Sequence, residues 1–356
     1  MTERRVSNPT AVALPDLLRD DAGTAVRSTA HWWRRREEVH DSLLALAYGP
    51  IPIGPNAVQC QTLHTATVQG FGGARLLSCR IGTGSGHGFM LRVFVPNADG
   101  PFPVLLHGDG CWHYASDAVI AAVLARGYTF AQFNRVEIAA DPEPGANVAL
   151  RSKRFFPGQH YGALAAWAWG YQRAVDALRQ FEWVDAACIA VVGHSRGGKA
   201  ALLAGATDQR IALTSANNSG AGGAGCFRLL GAGAETLADV VRVFPHWFGP
   251  GLAQFIGREH ALPFDQHFLK ALIAPRALLT TEALGDLWAN PSGSWHTHTA
   301  ARAVYGLLDV PQRIAIAYRA GGHGHLLADW LVLLDFADWV FRGKQRPRVQ
   351  DDSPFE

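Results

Sequence analysis

The sequence predicts an α/β fold with a mostly parallel, doubly wound sheet flanked by helices. Short apolar runs that suit buried strands alternate with longer helical patterns through most of the chain. This alternation is typical of repeated strand–helix–strand units. One of the strands, over residues 189–192, passes through a glycine-rich turn directly into a helix over residues 199–206 that is rich in Ala and Leu.

That turn, Gly193-His-Ser-Arg-Gly197, fits the pattern G-x-S-x-G. A strand, a sharp turn with a serine at its apex and a helix together form a nucleophile elbow. Glycines flank the serine because the strained turn leaves no room for side chains on either side. The turn lifts the Ser195 hydroxyl above the sheet, at the positive end of the following helix. The sequence therefore predicts an α/β-hydrolase fold with Ser195 as its nucleophile.

The sequence before the elbow predicts an N-terminal arm, a helix and an antiparallel edge of the sheet. Residues 1–30 are expected to form an irregular N-terminal arm, and residues 31–46 have the pattern of a helix. Alternating runs over residues 65–69, 74–81 and 88–95 predict an antiparallel meander at one edge of the sheet.

The remaining elements continue the alternation and predict a single domain over residues 31–345, followed by a C-terminal tail over residues 346–356. Between the strand after the elbow and the next one, residues 226–270 predict an insertion of two or three helices that roofs a binding cleft. The predicted strands are 102–107, 128–133 (followed by a Pro-rich loop through Pro157), 211–214, 277–281 and 314–318, and the predicted helices are 161–178, 297–309 and 326–341.

Composition excludes several classes of protein. The net charge of +2 disfavours a nucleic-acid binder, and the one basic run, Arg34-Arg-Arg36, suits the solvated face of a helix.

No membrane span and no signal peptide are expected, so the sequence as written predicts a cytoplasmic protein, with export only from an earlier start. None of the five cysteines forms a C-x-x-C pair, and His296-Thr-His298 is interpreted as a polar loop. No cofactor or metal is expected, and the protein is expected to be a monomer.

A serine hydroxyl is a poor nucleophile near neutral pH. It needs a histidine base and a carboxylate that holds this histidine in one tautomer. In α/β hydrolases the histidine follows the last strand, and here Arg319-Ala-Gly-Gly-His-Gly-His325 directly follows the strand over 314–318. His323, with small residues on both sides, is the predicted base, and His325 is the alternative.

The acid is expected in the loop after the preceding strand, over residues 280–291. Asp286 is the predicted acid. Glu282 is the alternative, although its place near the strand end also suits a solvated loop charge. Asp265 precedes that strand and is interpreted as structural.

The loop His107-Gly-Asp-Gly110 follows the strand over 102–107. In hydrolases of this type such a loop commonly supplies a backbone N–H to the oxyanion hole. An ordinary glycine turn fits these residues equally well.

Several motifs in one order carry a more specific resemblance. Gly193-His-Ser-Arg-Gly-Gly-Lys199 is followed by Glu235-Thr236, Phe244-Pro-His-Trp-Phe248, Asp286-Leu-Trp-Ala-Asn-Pro291 and Gly321-Gly-His323. With these motifs the chain resembles the glucuronoyl esterases (carbohydrate esterase family 15), and its bacterial branch in particular. The first motif is similar to the family's G-x-S-R-x-G-K signature, and the likeness covers most of the chain from about residue 100 onward.

The resemblance implies roles for further residues. Arg196 would help to hold the oxyanion through its N–H and its guanidinium, Lys199 and Glu235 would hydrogen-bond sugar hydroxyls, and Trp288 would pack against a uronic acid ring. Lys199 lies one helical turn after Ser195, so both can face one cleft. Charged groups beside an indole suit the hydroxyls and the apolar face of a sugar. A solvated lysine and a core tryptophan are the alternatives.

One position departs from the family pattern. Many members carry the acid as a glutamate in the glycine loop, where this chain has Asn218. An amide cannot carry the negative charge that stabilises imidazolium. The resemblance to some bacterial members places the acid at Asp286.

The predicted function is that of a serine esterase that hydrolyses esters of (4-O-methyl-)glucuronic acid through an acyl-enzyme. An acetyl xylan esterase or general carboxylesterase is the alternative within the same chemistry, although an acetyl group gives Lys199 and Glu235 nothing to bind. An inactive hydrolase fold that serves as a carbohydrate-binding module is the alternative suggested by Asn218.

Overall fold

The computed structural model describes residues 13–53, 58–84, 88–111, 115–142, 160–347 and 353–355. Three expectations fall partly outside these ranges. They are the first 12 residues of the N-terminal arm, most of the loop through Pro157, and residues 348–352 and 356 of the tail.

A single mixed sheet organises the described residues. Its strands are β1 (Gln59–Val68), β2 (Ala74–Gly82), β3 (Gly88–Val95), β4 (Phe102–His107), β5 (Thr129–Phe133), β6 (Val184–His194), β7 (Leu213–Asn217), β8 (Ala277–Ala283) and β9 (Ile314–Arg319). They lie in the order β1-β2-β3-β5-β4-β6-β7-β8-β9. Pairing is antiparallel from β1 to β5 and parallel from β5 through β4 to β9. The predicted parallel sheet and its antiparallel edge are confirmed.

Helices cover both faces of the sheet. They are α1 (Thr29–Leu43), α2 (Asp117–Ala125), α3 (Ala163–Leu178), α4 (Arg196–Thr207), α5 (Leu237–Val243), α6 (Gln266–Ala271), α7 (Pro291–Leu307) and α8 (Leu327–Arg342). Successive strand residues alternate between two cores: Leu106 packs with α3 and α4, and Leu105 packs with α2 and α8. None of the described helices has the length and apolar character that crossing a membrane requires.

Helix α7 begins earlier than predicted, at Pro291 instead of residue 297. Asn290 caps it by accepting a hydrogen bond from the Gly293 N–H at 3.0 Å, and proline suits the first helical position. The interpretation of His296-Thr-His298 as a loop is therefore wrong, because both histidines lie on this helix. The strand predicted over residues 211–214 also differs: β7 begins at Leu213 and continues to Asn217.

Two of the three arginines in the basic run on α1 are buried, and only Arg34 is exposed as a solvated face predicts. Arg35 and Arg36 are 6% and 5% exposed. The Arg36 guanidinium donates to the backbone oxygens of Ala206, at 3.0 Å, and Leu272, at 3.3 Å. These carbonyls lie at or next to the ends of α4 and α6, where backbone oxygens lack partners within the helix. Arg36 therefore connects α1 to the C-terminal ends of α4 and α6.

Tyr171 on α3 joins two parallel strands at the edge that carries the elbow. Its buried hydroxyl donates to the Val192 oxygen on β6 and accepts from the Gly108 N–H just after β4, both at 2.9 Å. The hydroxyl therefore satisfies two buried backbone groups at once.

We expect Tyr171→Phe to lower the free energy of unfolding by about 1–3 kcal/mol, because it leaves a buried N–H and a buried carbonyl without this partner. Urea denaturation measures the difference. Tyr305→Phe is the matched control, since the Tyr305 hydroxyl is buried and has no hydrogen-bond partner among the described residues. An equal loss in both variants would contradict the role of the Tyr171 hydrogen bonds.

His267 on α6 is 1% exposed, and its Nε2 donates to the Pro15 oxygen at 2.8 Å, which fastens the described part of the arm. Burial lowers the pKa of His267 from 6.5 to about 4. Between pH 6.5 and pH 4, His267 binds a proton in the unfolded chain but not in the folded chain. The free energy of unfolding therefore falls as the pH drops through this range.

We therefore expect wild type to lose stability relative to His267→Gln by up to about 1.4 kcal/mol per pH unit between pH 6.5 and 4. Glutamine keeps a donor for Pro15 and does not titrate. Urea denaturation of both proteins at pH 7, 6 and 5 tests this. If the free energies of unfolding of wild type and variant changed equally with pH, the pKa of His267 would not be lowered in the folded chain, and the prediction would be wrong.

Candidate active site

The elbow forms where the sequence predicts it, between β6 and α4. Ser195 has φ 54° and ψ −123°, a conformation that non-glycine residues rarely adopt. Its N–H donates to the Asn217 oxygen at 2.8 Å, and its own carbonyl accepts from the Lys199 N–H at 3.0 Å. A Cβ at Gly193 would collide with the Gly197 carbonyl, and a Cβ at Gly197 would collide with the Asp109 carboxylate. Both glycines are thus required by close contacts.

The structure brings Asp286 and His323 together. Asp286 lies three residues beyond β8 and His323 four residues beyond β9, so the parallel sheet delivers both to the edge that carries Ser195. The His323 Nδ1 lies 2.5 Å from the Asp286 Oδ2. Asp286 is 5% exposed, whereas the His323 side chain is 43% exposed. All three residues line one cavity of about 270 Å³.

Since a carboxylate only accepts hydrogen bonds, the His323 Nδ1 carries the proton of this contact. The neutral ring then presents the Nε2 lone pair as its basic site. His325 is packed away from the cavity: its ring stacks on Trp330 at 4.6 Å between centroids, and burial lowers its pKa well below the ordinary value.

Asn218 lines the cavity but serves as a bridge. Its Oδ1 accepts from the Ala283 N–H at 2.7 Å, and its Nδ2 donates to the Gly324 oxygen at 3.2 Å. A carboxylate could not make the second bond. The amide thus joins the end of β8 to the loop that carries His323.

Glu282 is not a solvated loop charge, and that interpretation is wrong. It is fully buried within β8 and does not line the cavity. Burial raises the pKa of Glu282 to about 8, against the attraction of Lys270. Asp265 is structural, as interpreted from the sequence: it begins α6 and accepts from the Phe227 N–H at 2.9 Å.

Lys199 and Glu235 form a buried pair on another wall of the cavity. The Lys199 Nζ lies 3.5 Å from the Glu235 Oε2 and donates to the backbone oxygens of Ser219, at 2.7 Å, and Ala221, at 2.5 Å. Lys199 is 3% exposed, which excludes the solvated alternative. Burial lowers the pKa of Lys199, and Glu235 opposes the shift.

Trp288 lies at the rim of the cavity. It is 49% exposed, so it is not a core tryptophan. Its backbone oxygen accepts from the Glu235 N–H at 3.0 Å, which connects the rim to the buried pair.

Phe244 and Trp247 from the insertion also line the cavity, as expected for a segment that covers a cleft. The Arg196 guanidinium lies 4.8 Å from the centroid of each ring. It also donates to the Asp141 carboxylate at 3.0 Å. Sequence reasoning missed Asp141, which belongs to no motif, and no local pattern marks it.

Residues 107–110, at the start of the loop after β4, do not line this cavity. The Gly108 N–H already donates to the Tyr171 hydroxyl and the Gly110 N–H to the Phe133 oxygen. Of the two readings that the sequence left open for these glycines, the ordinary turn fits the structure.

Comparison with known proteins agrees with this geometry. A family profile described as "Glucuronyl esterase, fungi" matches residues 82–309. The chain belongs to the glucuronoyl esterase family. It is 31% identical to the carbohydrate esterase MZ0003 of an unknown prokaryotic organism, over 93% of this chain and 90% of that one. It is 29% identical to the 4-O-methyl-glucuronoyl methylesterase of Schizophyllum commune, over 94% and 82%.

Solved structures confirm the α/β-hydrolase fold of this glucuronoyl esterase family member. A family 15 glucuronoyl esterase from Caldicellulosiruptor kristjansonii superposes with a TM-score of 0.83 at 31% identity, over 97% of this chain and 94% of that one. A Sporotrichum thermophile esterase in complex with methyl 4-O-methyl-β-D-glucopyranuronate gives 0.79 at 26% identity, over 94% and 89%.

We expect Asp286→Asn to lower kcat by about 10⁴-fold, because an amide neither fixes the His323 tautomer nor stabilises imidazolium. Steady-state hydrolysis of a glucuronic acid ester measures the loss. Glu282→Gln is the control. If Glu282→Gln abolished turnover while Asp286→Asn kept near-wild-type rates, Asp286 would not be the acid.

Proposed function

We propose that this chain is a serine esterase that hydrolyses esters of (4-O-methyl-)glucuronic acid, with Ser195 as nucleophile, His323 as base and Asp286 as acid. One observation carries the proposal. A single cavity is lined by Ser195, by His323 in contact with Asp286, and by the buried Lys199–Glu235 pair.

In the first half-reaction the His323 Nε2 takes the proton of the Ser195 hydroxyl as the Oγ attacks the ester carbonyl. Imidazolium forms next to the buried Asp286 carboxylate, which stabilises it. The alkoxide that develops on the carbonyl oxygen meets the positive end of α4 and the Arg196 N–H and guanidinium. The tetrahedral intermediate collapses, the ester bond breaks, and His323 returns the proton to the leaving alcohol.

The second half-reaction repeats these steps with water. His323 removes a proton from a water molecule that attacks the acyl-enzyme, and the glucuronate leaves as Ser195 regains its proton. The half-exposed His323 ring allows water to reach the acyl group from the mouth of the cavity.

Three further residues that line the cavity, Lys199, Glu235 and Trp288, would recognise the sugar. The buried Lys199 ammonium and Glu235 carboxylate offer a donor and an acceptor to ring hydroxyls in a site of low dielectric, where such bonds are strong. Trp288 at the rim offers a flat face to the apolar side of the sugar. The names of the Schizophyllum commune relative and of the Sporotrichum thermophile complex support this choice of substrate.

The decisive experiment compares hydrolysis of a glucuronic acid methyl or benzyl ester with hydrolysis of p-nitrophenyl acetate, using wild type and Ser195→Ala. We expect a strong preference for the glucuronate in kcat/KM and no turnover by Ser195→Ala. A preference for the acetate would point to an acetyl or general carboxylesterase. No turnover of either ester by wild type would point to an inactive binding module.

A further inference from the structure

Asp141 is a buried carboxylate behind the cavity wall, and it accepts hydrogen bonds from three separate parts of the chain. Its side chain is 1% exposed. The Oδ1 atom accepts from the His246 Nε2 and the Trp247 Nε1 of the insertion, both at 3.1 Å. The Oδ2 atom accepts from the Arg196 Nη1 at 3.0 Å and the Arg135 Nη2 at 3.5 Å. One oxygen thus serves the insertion and the other serves the two arginines.

These contacts complete a chain of alternating charges. Asp109 pairs with Arg135, Arg135 reaches Asp141, and Asp141 pairs with Arg196. The first three side chains are at most 1% exposed, and Arg196, at 25%, reaches the cavity. This series of ion pairs therefore begins with Asp109, in the loop after β4, and ends with Arg196, the residue that follows Ser195.

An arginine side chain has many rotamers, and holding it in one geometry costs entropy. Around Arg196 the aromatic rings of Phe244 and Trp247 supply broad contact faces. Such faces restrain a guanidinium less in direction than a hydrogen bond does. The Asp141 oxygen supplies a directional contact, and its own position is fixed by the insertion and by Arg135.

We propose that Asp141 is a positioning residue, which fixes the Arg196 guanidinium on the cavity wall so that it points to the charge that develops during ester cleavage. This inference rests on the proposed function. Asp141 does not line the cavity, so it can act on the site only through the lining residues that it holds, which are Arg196 and Trp247. Burial opposes ionisation of Asp141, but His246 and Arg196 hold its pKa below the usual range, so it is a carboxylate at neutral pH.

An interaction made with developing charge acts mainly in the transition state, so its loss lowers kcat more than it raises KM. Asp141→Asn distinguishes the contacts of the two carboxylate oxygens, Oδ1 with the insertion and Oδ2 with the arginines. The amide oxygen can replace Oδ1 and keep the donors of His246 and Trp247. The amide NH₂ then faces the arginines, to which it cannot be an acceptor.

We expect Asp141→Asn to lower kcat for a glucuronic acid methyl ester by about 10- to 100-fold with KM changed less than about 3-fold. Asp335→Asn is the control, because it removes a half-exposed carboxylate from Arg126, and neither residue lines the cavity. Wild-type kcat in Asp141→Asn, or a loss confined to KM, would overturn the proposal.

A double-mutant cycle with Arg196→Met tests whether the effect passes through Arg196. In that background we expect Asp141→Asn to cost less than about 3-fold in kcat. The same 10- to 100-fold loss with and without Arg196 would overturn the positioning role in favour of a general structural one.

Asp141→Glu keeps the charge that Arg135 needs, so it tests the proposal even if Asp141→Asn does not fold. Glutamate moves the carboxylate by one methylene, and we expect a loss of kcat of at least about 10-fold at unchanged KM. A wild-type kcat would overturn the inference. Ser195→Ala separates the two proposals: if it retains activity, the proposed function fails whatever the Asp141 variants do.

Discussion

The contact between the Asp109 carboxylate and the elbow is the constraint on which the site depends. Asp109 accepts the His194 N–H at 2.8 Å and lies so close to Gly197 that no side chain fits there. Burial raises its pKa, but Arg135 and His107 outweigh burial and hold the pKa below its usual range. Asp109 is therefore a carboxylate at neutral pH, in contact with the turn. It holds the strained Ser195 conformation from the side of β4, while Asn217 on β7 holds it from the other side.

The part of the site that follows from strand order could be predicted from the sequence. In a parallel sheet the carboxyl ends of the strands share one edge, so residues that follow β6, β8 and β9 must lie near one another. Small residues around His323 and the glycines around Ser195 mark two of these ends in the sequence itself. The predicted contact between Asp286 and His323 is accordingly present, at 2.5 Å.

What the sequence could not reveal depends on burial and on distant partners. A glutamate at a strand end and arginines on a helix look like solvated charges, yet Glu282, Arg35 and Arg36 are buried. Their surroundings come from segments far away along the chain, and local composition does not encode them. Sequence analysis did not identify Asp141 for the same reason. The groups that donate hydrogen bonds to it lie 6 to 106 residues away along the chain.

The half-exposed rim of the cavity has a consequence for large substrates. Lys199 and Glu235 are buried, whereas Trp288 and His323 are about half exposed. A cavity of about 270 Å³ is large enough for one sugar ring. A uronic acid that hangs as a side branch from a polymer can enter while the backbone of that polymer stays in solvent. Neither end of the polymer has to be threaded through the protein, so a branch in mid-chain is as accessible as one at a terminus.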